Sequence, residues 1–269
     1  MHIHFLGQSE LSGTQIPLQA KRLLGRLIAV PGSSRDQLIT DLWDEDPSPV
    51  THNRLRVALF RLRAALGQGA VAECEGRLSP AAELLADSDV GRFQATASLL
   101  GRPQADLAEL QAALELYGGD FLPEEAGAWA EAKRSELRSL YVQLQLVLAE
   151  RGCAEHSCRL AVRALSEALR TDPFLGEDLH QQLIACLSVV DGKYAAVAQY
   201  RRFLDFLQRE LQERPMPETV ALVEQIKAGT AVCIPIRLRQ ESCPYVASGR
   251  CGLRAAWEGL SRGELVTEQ

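Results

Sequence analysis

The chain has 269 residues, of which 46% are hydrophobic and 24% charged, a size and composition that suit two compact domains with cores of their own. The formal net charge is -6 at pH 7, and residues 1–70 carry eight Lys or Arg against six Asp or Glu, so any basic surface is local. No apolar stretch is long enough to cross a bilayer, and charges and glycine interrupt the N-terminus too early for a signal peptide. We therefore expect a cytoplasmic protein without a membrane partner.

Short strands and two helices are predicted before residue 50. Residues 1–7 (MHIHFLG) and 10–18 are typical of short strands around turn residues. Leu18 to Val30 has apolar side chains at helical spacing and ends at Pro31-Gly32. A serine, Ser33 or Ser34, then precedes Arg35 to Trp43 and is a suitable N-cap for a second helix.

The most informative stretch is Val50 to Leu66, which holds four arginines and no acidic residue. Ser48 and Pro49 suit the N-cap and the first turn of a helix over this stretch. On a period of 3.6 residues, one face is apolar and the opposite face carries a strip of mixed side chains between two rows of arginine. The apolar face consists of Leu55, Ala58, Leu59, Leu62 and Leu66.

This cross-section is typical of a helix in the major groove of DNA, where a central strip contacts base edges and guanidinium groups contact phosphates on either side. The candidates for reading bases are Thr51, His52, Asn53, Val57 and Phe60. The candidates for phosphate contacts are Arg54, Arg56, Arg61 and Arg63. The alternative is a solvated surface helix, but such helices usually alternate Glu with Arg, and this one does not.

A tight hairpin is predicted after this helix. Val71 to Cys74 and Arg77 to Ser79 flank Glu75-Gly76, and strands before the helices with a hairpin behind them are the order of a winged helix-turn-helix domain. Arg77 is the candidate for a minor-groove contact from this wing. The acidic side chain of Glu73, together with that of Glu75, weakens the case for a wing contact.

Three segments together resemble a known family. LITDLWDEDPSPVTHNRLRVALFRLRAALG (38–67) is similar to the recognition region of Streptomyces antibiotic regulatory protein (SARP) type activators. Farther on, LYGGDFLPEE (116–125) and WAEAKRSELRSLYVQLQLVLAERG (129–152) resemble the opening of the bacterial transcriptional activator domain of these proteins. The resemblance covers about residues 3–226. It implies a DNA-binding activator whose second domain supports regulation, self-association or contact with the transcription machinery, so RNA polymerase and a second copy of the chain join double-stranded DNA as candidate partners.

The stretch Ala128 to Ile226 is helical by pattern, with breaks at glycine, aspartate and proline positions. The spacing of small residues fits tetratricopeptide-like (TPR-like) helix pairs, with Ala161 and Ala168 in one unit and Ala196 and Tyr200 in the next. We therefore predict a mainly α chain. Its domains would be a winged helix-turn-helix domain with a small sheet and a hairpin (1–95), a TPR-like activator domain (96–228) and a cysteine-containing tail (229–269).

The seven cysteines do not indicate a disulfide framework, because the number is odd and the expected compartment is reducing. Cys233, Cys243 and Cys251 fall in the last forty residues, outside the family resemblance. They could begin a metal site or form a redox thiol pair, yet no CxxC pair occurs and no histidine lies nearby, so ordinary thiols are the simpler interpretation. We expect no cofactor.

Catalysis has no sequence support, because the phosphate-binding loop GxxxxGK[ST] and the HExxH and GxSxG motifs are all absent. Two functions remain. The first is a sequence-specific DNA-binding transcriptional regulator that acts at the nucleoid. The second is a helical-repeat adaptor whose N-terminal domain has lost DNA binding and serves as a partner surface, but an adaptor has no need of an acid-free arginine helix.

Overall fold

The structure is a computed structural model that describes residues 3–11, 15–102 and 105–236. Its N-terminal part places short strands around a group of helices, in the order expected of a winged helix-turn-helix domain. In chain order, the elements are β1 (Ile3–His4), β2 (Glu10–Leu11), α1 (Leu18–Ala29), β3 (Ser33–Ser34), α2 (Arg35–Trp43), α3 (Pro49–Leu66), β4 (Val71–Cys74) and β5 (Arg77–Pro80).

Capping boxes set the starts of α2 and α3. At α2, the Ser34 hydroxyl accepts a hydrogen bond from the Gln37 backbone N–H at 3.2 Å, and the Gln37 side chain accepts one from the Ser34 N–H at 2.9 Å. At α3, Ser48 and Thr51 make the same reciprocal pair, and Pro49 occupies the first turn. These caps satisfy backbone donors that have no partner within a helix, which is why both helices begin where they do.

The predicted hairpin is confirmed. Glu75 (φ 50°) and Gly76 (φ 75°) form a two-residue turn with both residues in the left-handed region, as tight hairpins between twisted strands require. Strand β5 pairs antiparallel with β4 on one side and with β3 on the other, giving the sheet order β3-β5-β4. Strand β2 is shorter than predicted, because Pro17 lies immediately before α1 and residues 15–17 form no strand.

α-Helices account for most of the described chain after β5. They are α4 (Ala82–Asp87), α5 (Asp89–Ala95), α6 (Leu107–Glu115), α7 (Ala128–Ala154), α8 (Cys158–Thr171), α9 (Glu177–Val190), α10 (Lys193–Phe206) and α11 (Pro217–Lys227). From α7 to α11, each helix packs against the next, as in a helical-repeat domain. Ala161 and Ala168 are buried between helices, and Ala196 is too, which confirms the predicted packing role of small residues.

A continuous cluster of buried apolar side chains extends from β1 to α9, so the winged-helix part and the first helices behind it share one core. Phe5 packs edge-on against Phe121 with ring centroids 6.1 Å apart, and Phe121 packs in turn against Trp129. The Trp129 indole N–H donates to the backbone carbonyl of Asp41 in α2 at 3.1 Å. All described residues lie in one compact unit, and the domain boundary predicted at residue 95 stays a prediction.

Candidate nucleic-acid interface

Helix α3 buries the apolar face that the sequence predicted. Leu55 and Leu62 are 1% and 0% exposed, and the helix packs with this face toward α1 and α2. The packing turns the opposite face of α3 toward solvent. The exposure of each residue that is predicted to contact DNA therefore depends on its position around this helix.

The central strip of the exposed face carries Asn53, Val57 and Phe60. All three are exposed, and Phe60 keeps 68% of its surface in water although its side chain is apolar. Phe60 therefore does not serve to fill the core of the chain. Apolar contacts with thymine methyl groups would remove the Phe60 ring from water. The Asn53 side chain can form two hydrogen bonds with adenine.

The structure corrects the prediction for Thr51 as a base-reading residue. Its side chain is 2% exposed, and its hydroxyl is engaged by the Ser48 N–H and by the backbone carbonyl of Asp46. Thr51 is therefore a capping residue. His52 is half-buried, with Nδ1 2.9 Å from the Ser48 carbonyl oxygen and Nε2 3.1 Å from an oxygen of Asp36, so its ring lies at the edge of the exposed face.

Arg56 and Arg61 lie on opposite sides of the central strip, and both are exposed. Within the described part of the chain, neither makes an ion pair. Arg54 differs, because its guanidinium binds Glu45 at 2.6 Å and lies over the Trp43 ring, 5.4 Å from the centroid. The charges of Arg56 and Arg61 are therefore available to phosphate without displacing a carboxylate.

Arg63 lines a cleft of about 320 Å³ beside α3, together with Arg35, His52, Arg56 and Phe60. Its Nη2 donates to the Val71 carbonyl at 3.4 Å, but its buried Nε–H has no hydrogen-bond partner. The three arginines that line the cleft give it a positive charge, which suits an anion.

Charged side chains of the wing, the β4–β5 hairpin, contact other parts of the same chain. The Arg77 guanidinium donates to the Gly32 carbonyl at 2.9 Å, although the residue stays exposed. Glu73 forms a two-point ion pair with Arg35 at the start of α2, and this hydrogen bonding holds the pKa of Glu73 below its usual value. The sequence interpretation missed Arg35, because a pairing between residues 38 positions apart has no local signal.

Metal binding gains no support from the described residues, which contain no group of three His, Cys, Asp or Glu side chains arranged around a common point. Cys233 is exposed, and the other two weak metal candidates, Cys243 and Cys251, lie outside the described residues. No helix in the described part of the chain is long and apolar enough to span a membrane.

A winged helix-turn-helix arrangement followed by packed helix pairs is the architecture of a class of bacterial transcriptional regulators. The family model of the bacterial transcriptional activator domain matches residues 86–227, and the chain belongs to this family. The predicted relationship to SARP-type activators is thereby confirmed. The matched region begins within α4, about ten residues before the predicted boundary.

Among solved structures, the chain is similar to Mycobacterium tuberculosis EmbR, described in complex with a low affinity phosphopeptide. The TM-score is 0.64 and the identity 23%, over 97% of this chain and 70% of that chain. At this identity, the similarity establishes the fold. A search among curated protein sequences found no match.

Proposed function

We propose that this protein is a sequence-specific, DNA-binding transcriptional regulator, without enzymatic activity, that places α3 in the major groove. The observation that carries the proposal is the exposed face of α3. It presents Asn53, Val57 and Phe60 to solvent between Arg56 and Arg61, two exposed guanidinium groups on opposite sides of the strip. Base edges would meet the central strip, and phosphates of the two strands would meet the arginines.

Roles within the site follow from these contacts. Arg56 and Arg61 are phosphate contacts, and Arg63 adds positive charge at the cleft. Glu45 already neutralises the charge of Arg54, and Arg77 donates one N–H to the Gly32 carbonyl, so both are weaker phosphate contacts than Arg56 and Arg61. The acidic remainder of the chain opposes unspecific binding to DNA, so affinity depends on a close fit of α3 to its site.

In a regulator of this class, the helices after residue 86 provide contacts with other proteins. We propose RNA polymerase and a second copy of the chain as the partners of this part, which makes activation the expected outcome of binding. An adaptor that no longer binds DNA is the second candidate. The pairing of Arg35 and Arg54 with carboxylates of the same chain favours it, since these pairs reduce the basic surface.

Selection of binding sites from fragmented DNA of the host tests the proposal, with the purified wild-type chain at two salt concentrations. The matched variants are the double substitutions Arg56→Gln with Arg61→Gln, and Arg159→Gln with Arg163→Gln. The second pair lies exposed on α8 and removes the same charge. We expect the wild type and the α8 variant to enrich a recurring site, and the α3 variant to lose it and to flatten the salt dependence by about two units.

If the α3 variant still enriches the site, α3 is not the helix that binds DNA. No enrichment by folded wild-type protein at either salt concentration would favour the adaptor. Circular dichroism of all three proteins checks that the substitutions leave the fold intact.

A further inference from the structure

A groove of about 560 Å³ opens between α8, α9 and α10, and no residue of α3 lines it. Its size lies in the range of sites that hold small organic molecules, which are usually lined by apolar and aromatic side chains with few polar groups. The polar side chains on the lining include Arg202 and Gln199 of α10, and His180 of α9 supplies an aromatic ring.

The wall of this groove is aromatic. The His180 ring stacks on Phe203 with centroids 4.2 Å apart, and Phe206 lies 6.2 Å from His180 in a nearly parallel orientation. Phe174 packs edge-on against Phe206 and leaves 64% of its own surface exposed beside the groove. Such a wall favours a flat aromatic ring, because ring stacking stabilises beyond the burial of apolar area alone.

His180 is 4% exposed, and its hydrogen bonding is incomplete. Its Nε2 lies 3.2 Å from the Pro173 carbonyl, an acceptor, which assigns the ring proton to Nε2. The Nδ1 atom is then an acceptor, and it has no partner. Burial lowers the pKa of His180, so the ring is neutral near pH 7 and Nδ1 is free to accept. A buried acceptor without a donor is destabilising, and a ligand N–H or O–H could complete it.

The groove is also selective in charge. Its lining carries Arg170 and Arg202 and no Asp or Glu, in a chain whose net charge is -6. Arg170 is already bound to Glu167 at 2.5 Å, whereas Arg202 contacts the amide oxygen of Gln199 and makes no ion pair among the described residues. An anionic group at the rim would therefore meet Arg202.

We propose that this groove is a binding site for a small planar aromatic anion, such as an aromatic carboxylate or sulfonate. Its ring lies against Phe206, its anionic group pairs with Arg202, and a donor on the ring system reaches the Nδ1 atom of His180. The site depends on α8–α10 alone, so it stands whether or not α3 binds DNA.

The test uses 8-anilinonaphthalene-1-sulfonate, a fluorescent aromatic sulfonate, titrated into the full chain. Arg202→Gln removes the proposed anion contact, and Arg201→Gln is the matched control, an exposed arginine at the adjacent position that does not line the groove. Ala198→Trp places an indole at the lining and occupies the space. Thermal unfolding of each variant verifies the fold.

We expect one saturable site per chain in the wild type and in Arg201→Gln. Arg202→Gln should weaken the probe about tenfold, as expected for the loss of one charged hydrogen bond, and Ala198→Trp should abolish the saturable site. Equal affinities of the two arginine variants would overturn the proposal. So would unchanged binding to Ala198→Trp, or the absence of a saturable site in the wild type.

Discussion

Arg35 at the start of α2 and Glu73 on strand β4 are joined by two parallel hydrogen bonds, Nη1 to Oε1 at 2.7 Å and Nη2 to Oε2 at 2.9 Å. The pair lies beside the cleft that α3 lines with Arg56 and Arg63. Arg35 is therefore a cation on the proposed DNA-binding side of the chain, and Glu73 neutralises it. A phosphate at this position would have to compete with a carboxylate that is already in place.

Substitution of Glu73 should strengthen DNA binding. Glu73→Gln removes the carboxylate that competes for Arg35, so we expect a several-fold higher affinity and a salt dependence steeper by about one unit. Fluorescence anisotropy with the selected site at three salt concentrations measures both. The control is Glu75→Gln, which removes the same charge from the hairpin turn without releasing an arginine. Equal gains for the two variants would show that only overall charge changed.

The sequence predicted those parts of the fold that depend on local signals. The start of α3 came within one residue of the predicted helix, because Ser48 and Pro49 are suited to a helix start, and the turn at Glu75-Gly76 was placed correctly because few residues adopt its conformation. The packed alanines between the later helices followed from repeat spacing. The shared core behind the winged-helix part did not, because it depends on contacts such as Trp129 with α2.

The candidate site was predicted less completely than the fold. Helical periodicity identified the exposed strip and the two arginine rows, but not which guanidinium groups are occupied. Glu45, nine positions before Arg54, and Glu73, far from Arg35, engage them through tertiary packing. Thr51 did have a local signal, its spacing of three from Ser48, which is that of a capping box.

The N-terminal strand depends on one buried carboxylate. Asp89, 4% exposed, accepts hydrogen bonds from the backbone N–H groups of Phe5, Leu6 and Val90. Asp89→Ala leaves these buried donors unpaired, so we expect it to lower the free energy of unfolding by about 3 kcal/mol or more. Urea unfolding followed by circular dichroism measures this change. Asp87→Ala, at an exposed position two residues earlier, should change it by less than about 0.5 kcal/mol. Similar losses in both variants would contradict the role of Asp89.

Cys186 should resist alkylation in the folded chain. Burial, assisted by the neighbouring thiols of Cys153, Cys233 and Cys158, raises the pKa of Cys186 from 9.0 to about 12. At pH 8, its thiolate fraction is therefore about one in ten thousand, and the thiolate is the reactive form. Iodoacetamide at pH 8 with peptide mass spectrometry should modify exposed Cys158 and Cys74 and leave Cys186 intact until urea is added. Modification of Cys186 as fast as Cys158 in the folded chain would contradict this.

The Cys186 thiol should also make the free energy of unfolding fall as the pH rises. Below about pH 9, Cys186 is protonated in both the folded and the unfolded chain and does not affect the balance between them. Between pH 9 and 12, the unfolded chain releases this proton first, so the free energy of unfolding falls across that window. Cys186→Ala should reduce the fall. Urea unfolding at pH 8 and pH 10.5 compares the two proteins, and an identical pH dependence would show that the thiol does not contribute.

Two adjacent residues of α3 should separate stability from recognition. Phe60 is 68% exposed and Leu59 is 5% exposed, although both are large apolar side chains on one helix turn. Leu59→Ala opens a cavity in the core, and we expect it to cost about 2 to 4 kcal/mol of the free energy of unfolding.

Phe60→Ala should leave the free energy of unfolding within about 0.5 kcal/mol of the wild type, because the side chain is not packed. It should nevertheless weaken the selected DNA site and reduce discrimination against exchange of a thymine for cytosine, since the contact with the thymine methyl group is lost. Thermal unfolding and anisotropy with paired thymine and cytosine sites measure the two effects. Unchanged DNA binding by Phe60→Ala would remove this residue from the interface, and a loss of stability equal to that of Leu59→Ala would show that Phe60 holds the fold rather than the DNA.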